Sequence, residues 1–486
     1  MEKKATGLKV RLTLLNFLEF AVWGAYLTSM GTYLASVGLA SNIGWFYSVQ
    51  GVVSIFMPAL MGIVADRWIE GQRVFSLCHL LAGIFMIGAS VYAYGAGDQV
   101  SFAPLFTLYT LSVAFFMPTI SLNYSVAYSA LEGAGLDSVK AFPPIRVWGT
   151  VGFIVMMWFV DAGICGFITT PISLFDGWLA DTQPIIESVE NFFKDLVPDG
   201  NTTSSKVVHI LFLGGLQPRP GQWAISGILS LVLAVYALTM PRMRIVKDAA
   251  KKTLVEALGL NAFKLFADSR MAMFFIFSML LGVCLQITNS YANPFITSFG
   301  TIEVFRDTFA VSHANILISL SQISETLCIL LIPFFLSRLG IKKVVLIALL
   351  AWVLRFALFG AGNPGGGVWL FVLSMIVYGV AFDFFNISGS LFVNQETDES
   401  MRSSAQGLFM MMTNGLGAFI GTIVAMQIIN FYVYDPQAAG ASPEAVMQGW
   451  QTCWYIFAAY ALVVAVLFAV FFKYKHEPEK LGPITH

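Results

Sequence analysis

Four groups of polar, charged and aromatic side chains lie inside otherwise apolar runs of this sequence. Asp383 stands out among them, because a charged side chain at mid-bilayer depth costs roughly 3 kcal/mol or more unless it faces a polar interior or a partner. Within each group the members lie about one or two helical turns apart, so they share a helix face. The groups are Arg146, Thr150 and Phe153; Gln286 and Asn289; Gln322 and Glu325; and Tyr378, Phe382 and Asp383.

These side-chain types together suit one kind of ligand. Amides such as Gln286 offer both donors and acceptors, a carboxylate accepts from two neighbouring hydroxyls, and aromatic faces stack on planar rings. We therefore predict a substrate-binding site for a molecule with a flat heteroaromatic end and a hydroxylated end. Asp383, Glu325 and Glu19, all acids within apolar runs, are the candidates for binding a coupled proton.

Each group also has a purely structural interpretation. A pair such as Gln286 and Asn289 could serve only to join helices by hydrogen bonds, and the aromatic side chains could serve only to pack. Arg146 could extend to water from near the end of its helix and bind nothing. The spacing alone leaves these alternatives open.

The composition predicts an integral membrane protein. Of the 486 residues 57% are hydrophobic and 11% are charged, against about 25% charged in a soluble domain, and the mean hydropathy is +0.76. A net charge of −1 argues against nucleic acid as a partner. The cysteines and histidines are scattered without metal-ligand spacing, and no nucleophile with its base is recognisable. We expect no enzyme activity, no metal and no cofactor.

Twelve apolar stretches are long enough, at roughly 20 residues each, to cross a bilayer as helices. They predict an all-α integral membrane fold with 12 transmembrane helices. The stretches lie near residues 11–36, 42–65, 74–95, 101–128, 143–165, 222–240, 270–292, 310–337, 341–361, 367–393, 404–432 and 451–473.

The basic residues predict the orientation and the division into halves. With both termini cytoplasmic, most of the 27 Lys and Arg residues fall in cytoplasmic segments, as the positive-inside rule requires. We predict a six-helix bundle at 1–240, a basic cytoplasmic loop at 241–269 and a second six-helix bundle at 270–486. Two such bundles are typical of secondary transporters that bind substrate between the halves near the membrane midplane.

The segment 167–220 departs from this pattern. It contains acidic residues with apolar ones between them, and Ser188 to Leu196 is predicted to form a short amphipathic helix. We expect a periplasmic insertion that lies on the membrane surface or over the mouth of the bundle. An insertion without any transport role is the alternative, because surface loops accept added residues at small cost.

Long stretches of the sequence resemble one known family, the nucleoside:proton symporters of the major facilitator superfamily. The resemblance covers nearly the whole chain except the segment 167–220. The stretches are Asn16–Phe20 with Trp23-Gly24, Phe56–Leu60, Phe142–Thr150, Phe274–Asn289, Ser321–Thr326, Trp352–Phe359, Met375–Gly389 and Ala405–Asn414.

The resemblance implies a bacterial inner-membrane nucleoside permease, with xanthosine permeases as close relatives. It also implies that the four groups of side chains named above are the substrate contacts, on spans five, seven, eight and ten. Glu19 departs from the family, in which glutamine is usual at this position. We expect a monomer in the lipid bilayer with both termini cytoplasmic.

The expected function is proton-coupled uptake of nucleosides such as uridine or adenosine by alternating access. A proton on Asp383 or Glu325 would remove the charge penalty of closing the site around a neutral substrate. The alternatives are a xanthosine-selective permease, an uncoupled facilitator of another hydroxylated solute, and a nutrient sensor that binds without transporting.

Overall fold

The described part of the protein is helical. The computed structural model describes residues 2–173, 182–196, 218–243, 260–398 and 401–474, and no β-strand occurs among these residues. A bilayer offers no water to pair with backbone groups, so helices that satisfy their own hydrogen bonds are the expected form of so apolar a chain. The prediction of an all-α fold is confirmed.

The main helices are numbered along the chain. They are α1 (Glu2–Gly24), α2 (Met30–Ser36), α3 (Ile43–Arg67), α4 (Gly71–Ala96), α5 (Phe102–Gly133), α6 (Ser138–Ser173), α7 (Gln183–Leu196), α8 (Gly221–Ala237), α9 (Ser269–Ser298), α10 (Ala314–Ala361), α11 (Val368–Gln395), α12 (Arg402–Met410), α13 (Ala418–Ile429) and α14 (Pro443–Phe471). A π-helical turn, Met411–Gly417, joins α12 to α13.

Every predicted span falls on one or more of these helices. The long helix α10 covers the predicted span 341–361 and all but the first four residues of the span 310–337. It is divided at Gly340, where φ is +75°. Glycine adopts this left-handed conformation because it has no Cβ to clash with the backbone. Within the described ranges nine helices are long and apolar enough to cross a membrane. This number counts α10 once and leaves out α8, which has only 17 residues. The number of twelve spans stays a prediction.

The predicted insertion is described only in part. Helix α6 continues to Ser173, inside the segment predicted as an insertion, and α7 begins at Gln183, five residues before the predicted start. Pro184 explains the earlier start, since proline suits the first turn of a helix. Residues 174–181 and 197–217 lie outside the described residues, as do residues 244–259 of the predicted connecting loop. The position of the insertion and the division into two bundles stay predictions.

The apolar core of the described residues consists of one large cluster and two smaller ones in the N-terminal half. Its largest cluster runs from Phe20 to Phe472 and contains the fully buried Trp223, Trp352 and Trp450. Many outward-facing side chains are apolar too; the sequence places them on predicted spans, where lipid tails can cover them. The apolar surface of these helices is therefore covered partly by other helices and partly by lipid.

At one end of the molecule, hydrogen bonds join the N-terminal half (α1 to α8) to the C-terminal half (α9 to α14). Near the start of α10, the Asn315 side chain accepts from Thr28 Oγ1 at 2.8 Å, and its backbone N–H donates to Asp161 at 3.2 Å. His313 lies beside the same carboxylate. Further hydrogen bonds between the halves pair Thr32 with Asn293 and Thr297, Trp158 with Ser319, and Ser41 with Asn430. We refer to this end as the closed end.

Two glycines allow helices of the two halves to touch at the closed end. A Cβ at Gly31 would lie 2.6 Å from the carbonyl oxygen of Ser290, and one at Gly44 would lie 2.6 Å from the Cβ of Met426. Both distances are far below van der Waals contact, so larger residues would push the halves apart. Helices α2 and α3 therefore rest directly on α9 and α13.

Candidate functional site

A cavity of about 940 Å³ lies between the two halves. Its lining comes from α1, α3, α5 and α6 on one side. On the other side it comes from α9 to α13, the π-helical turn and the short helical segment Leu260–Ala267 before α9. From the level of Trp23 and Gln286 it extends away from the closed end toward Gly62 and Phe263. A cavity of this size suits a small organic molecule.

Helix α6 brings its predicted group to the cavity. Arg146, Thr150 and Phe153 all belong to the lining. The Arg146 Nε donates to the Tyr124 hydroxyl at 2.9 Å, and the guanidinium carbon lies 4.0 Å from the centre of the Phe20 ring. A hydrogen bond and a cation–π contact thus hold this guanidinium at the cavity surface.

Helices α9 and α10 bring the amides and one acid. Gln286, Asn289, Gln322 and Glu325 line the cavity, as the helical spacing predicted. Asn289 Nδ2 donates to Gln286 Oε1 at 2.9 Å, so these two amides fix each other's orientation. Gln322 Oε1 is buried and has no hydrogen-bond partner among the described residues. Because the side chain lines the cavity, a turn of its amide would present this unpaired acceptor to a ligand.

Helix α11 places two aromatic side chains in the cavity lining, but its acid, Asp383, points away from the cavity. The Tyr378 and Phe382 rings line the cavity and stack with 5.5 Å between their centroids and 10° between their planes. Asp383 is 4% exposed and does not belong to the lining. Successive residues of a helix point about 100° apart, so Asp383 cannot share the face of Phe382. Its Oδ2 has no hydrogen-bond partner in the described part of the chain.

Three charged groups act on one another in this region. The positive charge of Arg146 acts on both Glu325 and Asp383, and the two carboxyl groups act on each other. Nine of the ten predicted binding residues line one cavity, and the tenth, Asp383, lies directly behind it within electrostatic range.

Glu19 lies elsewhere, in a buried network of the N-terminal half. Its carboxylate is 2.7 Å from His79 Nε2 and accepts from Thr119 Oγ1 at 2.7 Å. His79 Nδ1 is 3.0 Å from the Ser230 hydroxyl, so the network joins α1, α4, α5 and α8. Glu19 is not part of the cavity lining, and a role for it in proton coupling stays a prediction.

The spacing argument missed several polar and aromatic lining residues. Among them are Trp23, Gln50, Tyr124 and Asn414. Gln50 and Asn414 are single amides within predicted apolar spans, which is the signal that selected the other groups. Asn414 also lies in the π-helical turn, a local irregularity that often marks functional positions in helices.

The arrangement of helices matches that of solved transporters. The crystal structure of the nucleoside transporter NupG aligns with 96% of this chain and 100% of its own, at 40% identity and a TM-score of 0.76. The inward-open xylose transporter XylE of E. coli aligns with 98% of this chain and 99% of its own, at 13% identity and a TM-score of 0.59, which supports the fold alone. The protein is a multi-pass membrane transporter with the major facilitator fold.

Sequence comparison defines the family. The sequence profile of the nucleoside H+ symporters matches residues 6–192 and 200–477. The xanthosine permease of Escherichia coli (strain K12) is 42% identical over 485 residues, which cover 99% of this chain and 100% of that protein. The nucleoside permease NupG of the same strain is 42% identical over 483 residues, covering 99% of each. This chain belongs to the nucleoside H+ symporter family, whose members are transporters and not enzymes.

Proposed function

We propose that this protein takes up nucleosides together with protons across the bacterial inner membrane by alternating access. The cavity between the halves is the observation on which the proposal rests, because it combines a cation, a carboxyl group, amides and stacked aromatic rings. The names of the two 42%-identical relatives, a nucleoside permease and a xanthosine permease, support the same substrate class.

A nucleoside has a flat base and a hydroxylated ribose, and the cavity offers partners for both. The rings of Phe153, Tyr378 and Phe382 suit the base. The Glu325 carboxylate and the unpaired Gln322 Oε1 are acceptors for ribose hydroxyls. A substrate that lacks these hydroxyls leaves buried acceptors unpaired, which lowers its affinity.

Asp383 and Glu325 are the acids that we propose for proton coupling. An ionised Asp383 would leave Oδ2 without a donor in an apolar interior, and such an uncompensated charge is expensive. Protonation removes that charge before the halves close around a neutral substrate. The positive charge of Arg146 acts on both acids, so its distance from them influences when the proton is bound and released.

The conformation described here opens toward the end opposite the closed end. We assign that open end to the cytoplasm, together with both termini, because the basic residues Arg11, Arg270 and Lys342 lie there. Loading from the periplasm then requires the hydrogen bonds of the closed end to break while the cytoplasmic end closes. One chain contains the whole cavity, so we propose a monomer as the working unit.

Uptake by proteoliposomes tests the coupling. Radiolabelled uridine should accumulate above its external concentration when an inward proton gradient is present, and only equilibrate after a protonophore is added. Equal accumulation under both conditions would exclude proton coupling. Competition by xanthosine, adenosine, free bases and hexoses then determines the substrate range. No uptake of labelled uridine, adenosine or xanthosine by the reconstituted protein would exclude nucleosides.

Asp383→Asn tests the proton-binding acid. This substitution keeps the size of the side chain but cannot change its charge, so we expect proton-driven accumulation to be abolished at unchanged membrane expression. Glu396→Gln, which removes a partly buried acid that pairs with Arg270 just after the same helix, is the matched control. Near-normal accumulation by the Asp383→Asn variant would refute its assignment.

A further inference from the structure

We infer that Trp23 and Gln50 recognise the nucleobase from the N-terminal half, and that Tyr109 holds Gln50 in position for this task. The inference rests on the proposed function and names the part of the same cavity that distinguishes one nucleoside from another. Trp23 on α1 and Gln50 on α3 both line the cavity. Tyr109 on α5 is fully buried and does not line it.

Two hydrogen bonds connect these three side chains across three helices. Trp23 Nε1 donates to Gln50 Oε1 at 3.3 Å, and Gln50 Nε2 donates to the Tyr109 hydroxyl at 2.9 Å. An indole N–H can only donate, so the amide must turn its oxygen toward Trp23 and its nitrogen toward Tyr109. The orientation of the Gln50 amide, which is ambiguous for many glutamines, is therefore determined by its partners.

The fixed amide keeps hydrogen-bonding capacity for a ligand. After these two contacts, Nε2 retains a second N–H and Oε1 retains a second lone pair. Gln50 is only 3% exposed, so just the edge of the amide reaches the cavity. A donor and an acceptor side by side match the edges of nucleobases, as Gln–adenine pairing shows. Ribose hydroxyls both donate and accept, so an amide of fixed polarity discriminates among bases and not among sugars.

Three neighbouring rings fix the plane of the Trp23 indole. The ring centroids of Phe20, Phe116 and Phe153 lie 6.4, 6.2 and 6.2 Å from that of Trp23, and Phe153 is nearly perpendicular to it at 86°. The N–H edge of the indole is bound to Gln50, and Trp23 lines the cavity. An aromatic surface held in this way suits stacking on a planar base.

Calorimetric titration of the purified full-length protein with uridine and adenosine tests the inference. For Trp23→Leu we expect both affinities to fall by about tenfold or more, because a stacking surface is lost. Tyr109→Phe leaves the cavity lining unchanged and removes one hydroxyl that holds Gln50. We expect it to change the ratio of uridine to adenosine affinity by about threefold.

Tyr33→Phe is the matched control for Tyr109→Phe. Tyr33 is a buried aromatic residue of the same half, and its hydroxyl has no hydrogen-bond partner among the described residues. This variant should keep both affinities. The affinity ratio is the decisive readout, because general loosening of the half would lower both affinities alike.

The possible outcomes separate this inference from the proposed function. An unchanged affinity ratio in the Tyr109→Phe variant, with wild-type protein that binds nucleosides, overturns the role of Gln50 and leaves nucleoside transport standing. Unchanged affinities in a folded Trp23→Leu variant overturn the role of Trp23. If Trp23→Leu does not fold, Tyr109→Phe alone decides the inference. Absence of any nucleoside binding by the wild-type protein overturns the proposed function and this inference together.

Discussion

The Nδ1 atom of His313 lies 2.7 Å from the carboxylate of Asp161, and this contact joins the two halves at the closed end. Asp161 is buried on α6, whereas the His313 side chain is 29% exposed just before α10. The same carboxylate accepts the backbone N–H of Asn315. Asp161 thus holds the start of α10 through two contacts, and both must break when this end opens.

Asp161→Asn should favour opening of the closed end, because it keeps the side-chain size and removes the charge. The partial exposure of His313 screens the pair, so we expect a shift of about 1–2 kcal/mol, or roughly 5- to 30-fold in the ratio of closed to open protein. The rate at which a membrane-impermeant maleimide, added only to the periplasmic side, labels a Leu27→Cys reporter in the cavity measures this ratio. The five native cysteines are buried and give little background.

Glu303→Gln is the control for this experiment. It removes an acid from an exposed ion pair with Arg306, 2.8 Å apart, within the C-terminal half between α9 and α10. Its labelling rate should equal that of the parent protein. Equal labelling rates for Asp161→Asn and Glu303→Gln would contradict a gating role for Asp161.

Gly31→Ala should impair transport by preventing the closed end from closing fully. The added Cβ would lie 2.6 Å from the Ser290 carbonyl oxygen and 2.8 Å from the Pro294 ring, and overpacking of this kind costs about 1–3 kcal/mol. We expect the initial rate of uridine uptake to fall by about tenfold. In Gly7→Ala the new methyl group meets no atom within 4 Å, so uptake should be unchanged. Normal uptake by Gly31→Ala would show that this contact is not needed in the transport cycle.

The convergence of most of the site could be predicted because it depends on local geometry. Helical spacing determines which side chains share a face, and the cost of polar groups in lipid turns such faces inward. Gln286 and Asn289, for example, could be placed on one helix face from their spacing alone, without knowing which helices lie beside them. Asp383 shows the limit of the argument, since a single residue of offset from Phe382 moved it from the cavity surface to a position behind it.

The spacing argument could not group the remaining residues with their partners, because these partners lie on other helices. Gln50 is 27 residues from Trp23 and 59 from Tyr109, and no spacing along one helix relates them. Glu19 likewise finds its partner His79 at a separation of 60 residues. Which helices are neighbours is a property of the tertiary fold. The partners of an isolated polar residue can therefore be identified only from the structure.

Asp268 provides a prediction of pH dependence outside the membrane. The pKa of Asp268 is lowered because its Oδ1 accepts the backbone N–H groups of Met271 and Arg270, at 3.0 and 2.7 Å, as the N-cap of α9. A lowered pKa means that the cap stabilises the protein fully above the ordinary value of 3.8, and that this stability is lost as pH falls through the folded-state value.

Asp268→Ala should therefore destabilise the protein by about 1 kcal/mol at pH 7, and by less at pH 3. Thermal unfolding in detergent at the two pH values measures the difference in Tm from wild type. Asp268→Asn is the control, because asparagine caps helices without titrating. A deficit for Asp268→Ala that is equal at both pH values would contradict the role of the ionised cap.

Arg355 is a buried cation whose described partners are not acids. Its guanidinium carbon lies 4.5 Å from the centre of the Tyr378 ring, and its NH1 donates to the Ser374 carbonyl oxygen at 2.7 Å. Tyr378 lines the cavity, so Arg355 supports a binding residue from behind. Lysine has no planar face to lie against the ring, so Arg355→Lys removes this support while keeping the charge.

We expect Arg355→Lys to lower stability by about 1–2 kcal/mol and to weaken nucleoside binding about fivefold. Arg338→Lys is the matched control, because the Arg338 guanidinium lies 4.1 Å from the exposed Phe334 ring, outside the cavity lining. Tm and calorimetric Kd, measured on both variants, separate two roles. A lower Tm with an unchanged Kd means that Arg355 supports only the packing of α10 against α11. A lower Tm together with a higher Kd means that the position of Tyr378, and with it the substrate contact, depends on Arg355.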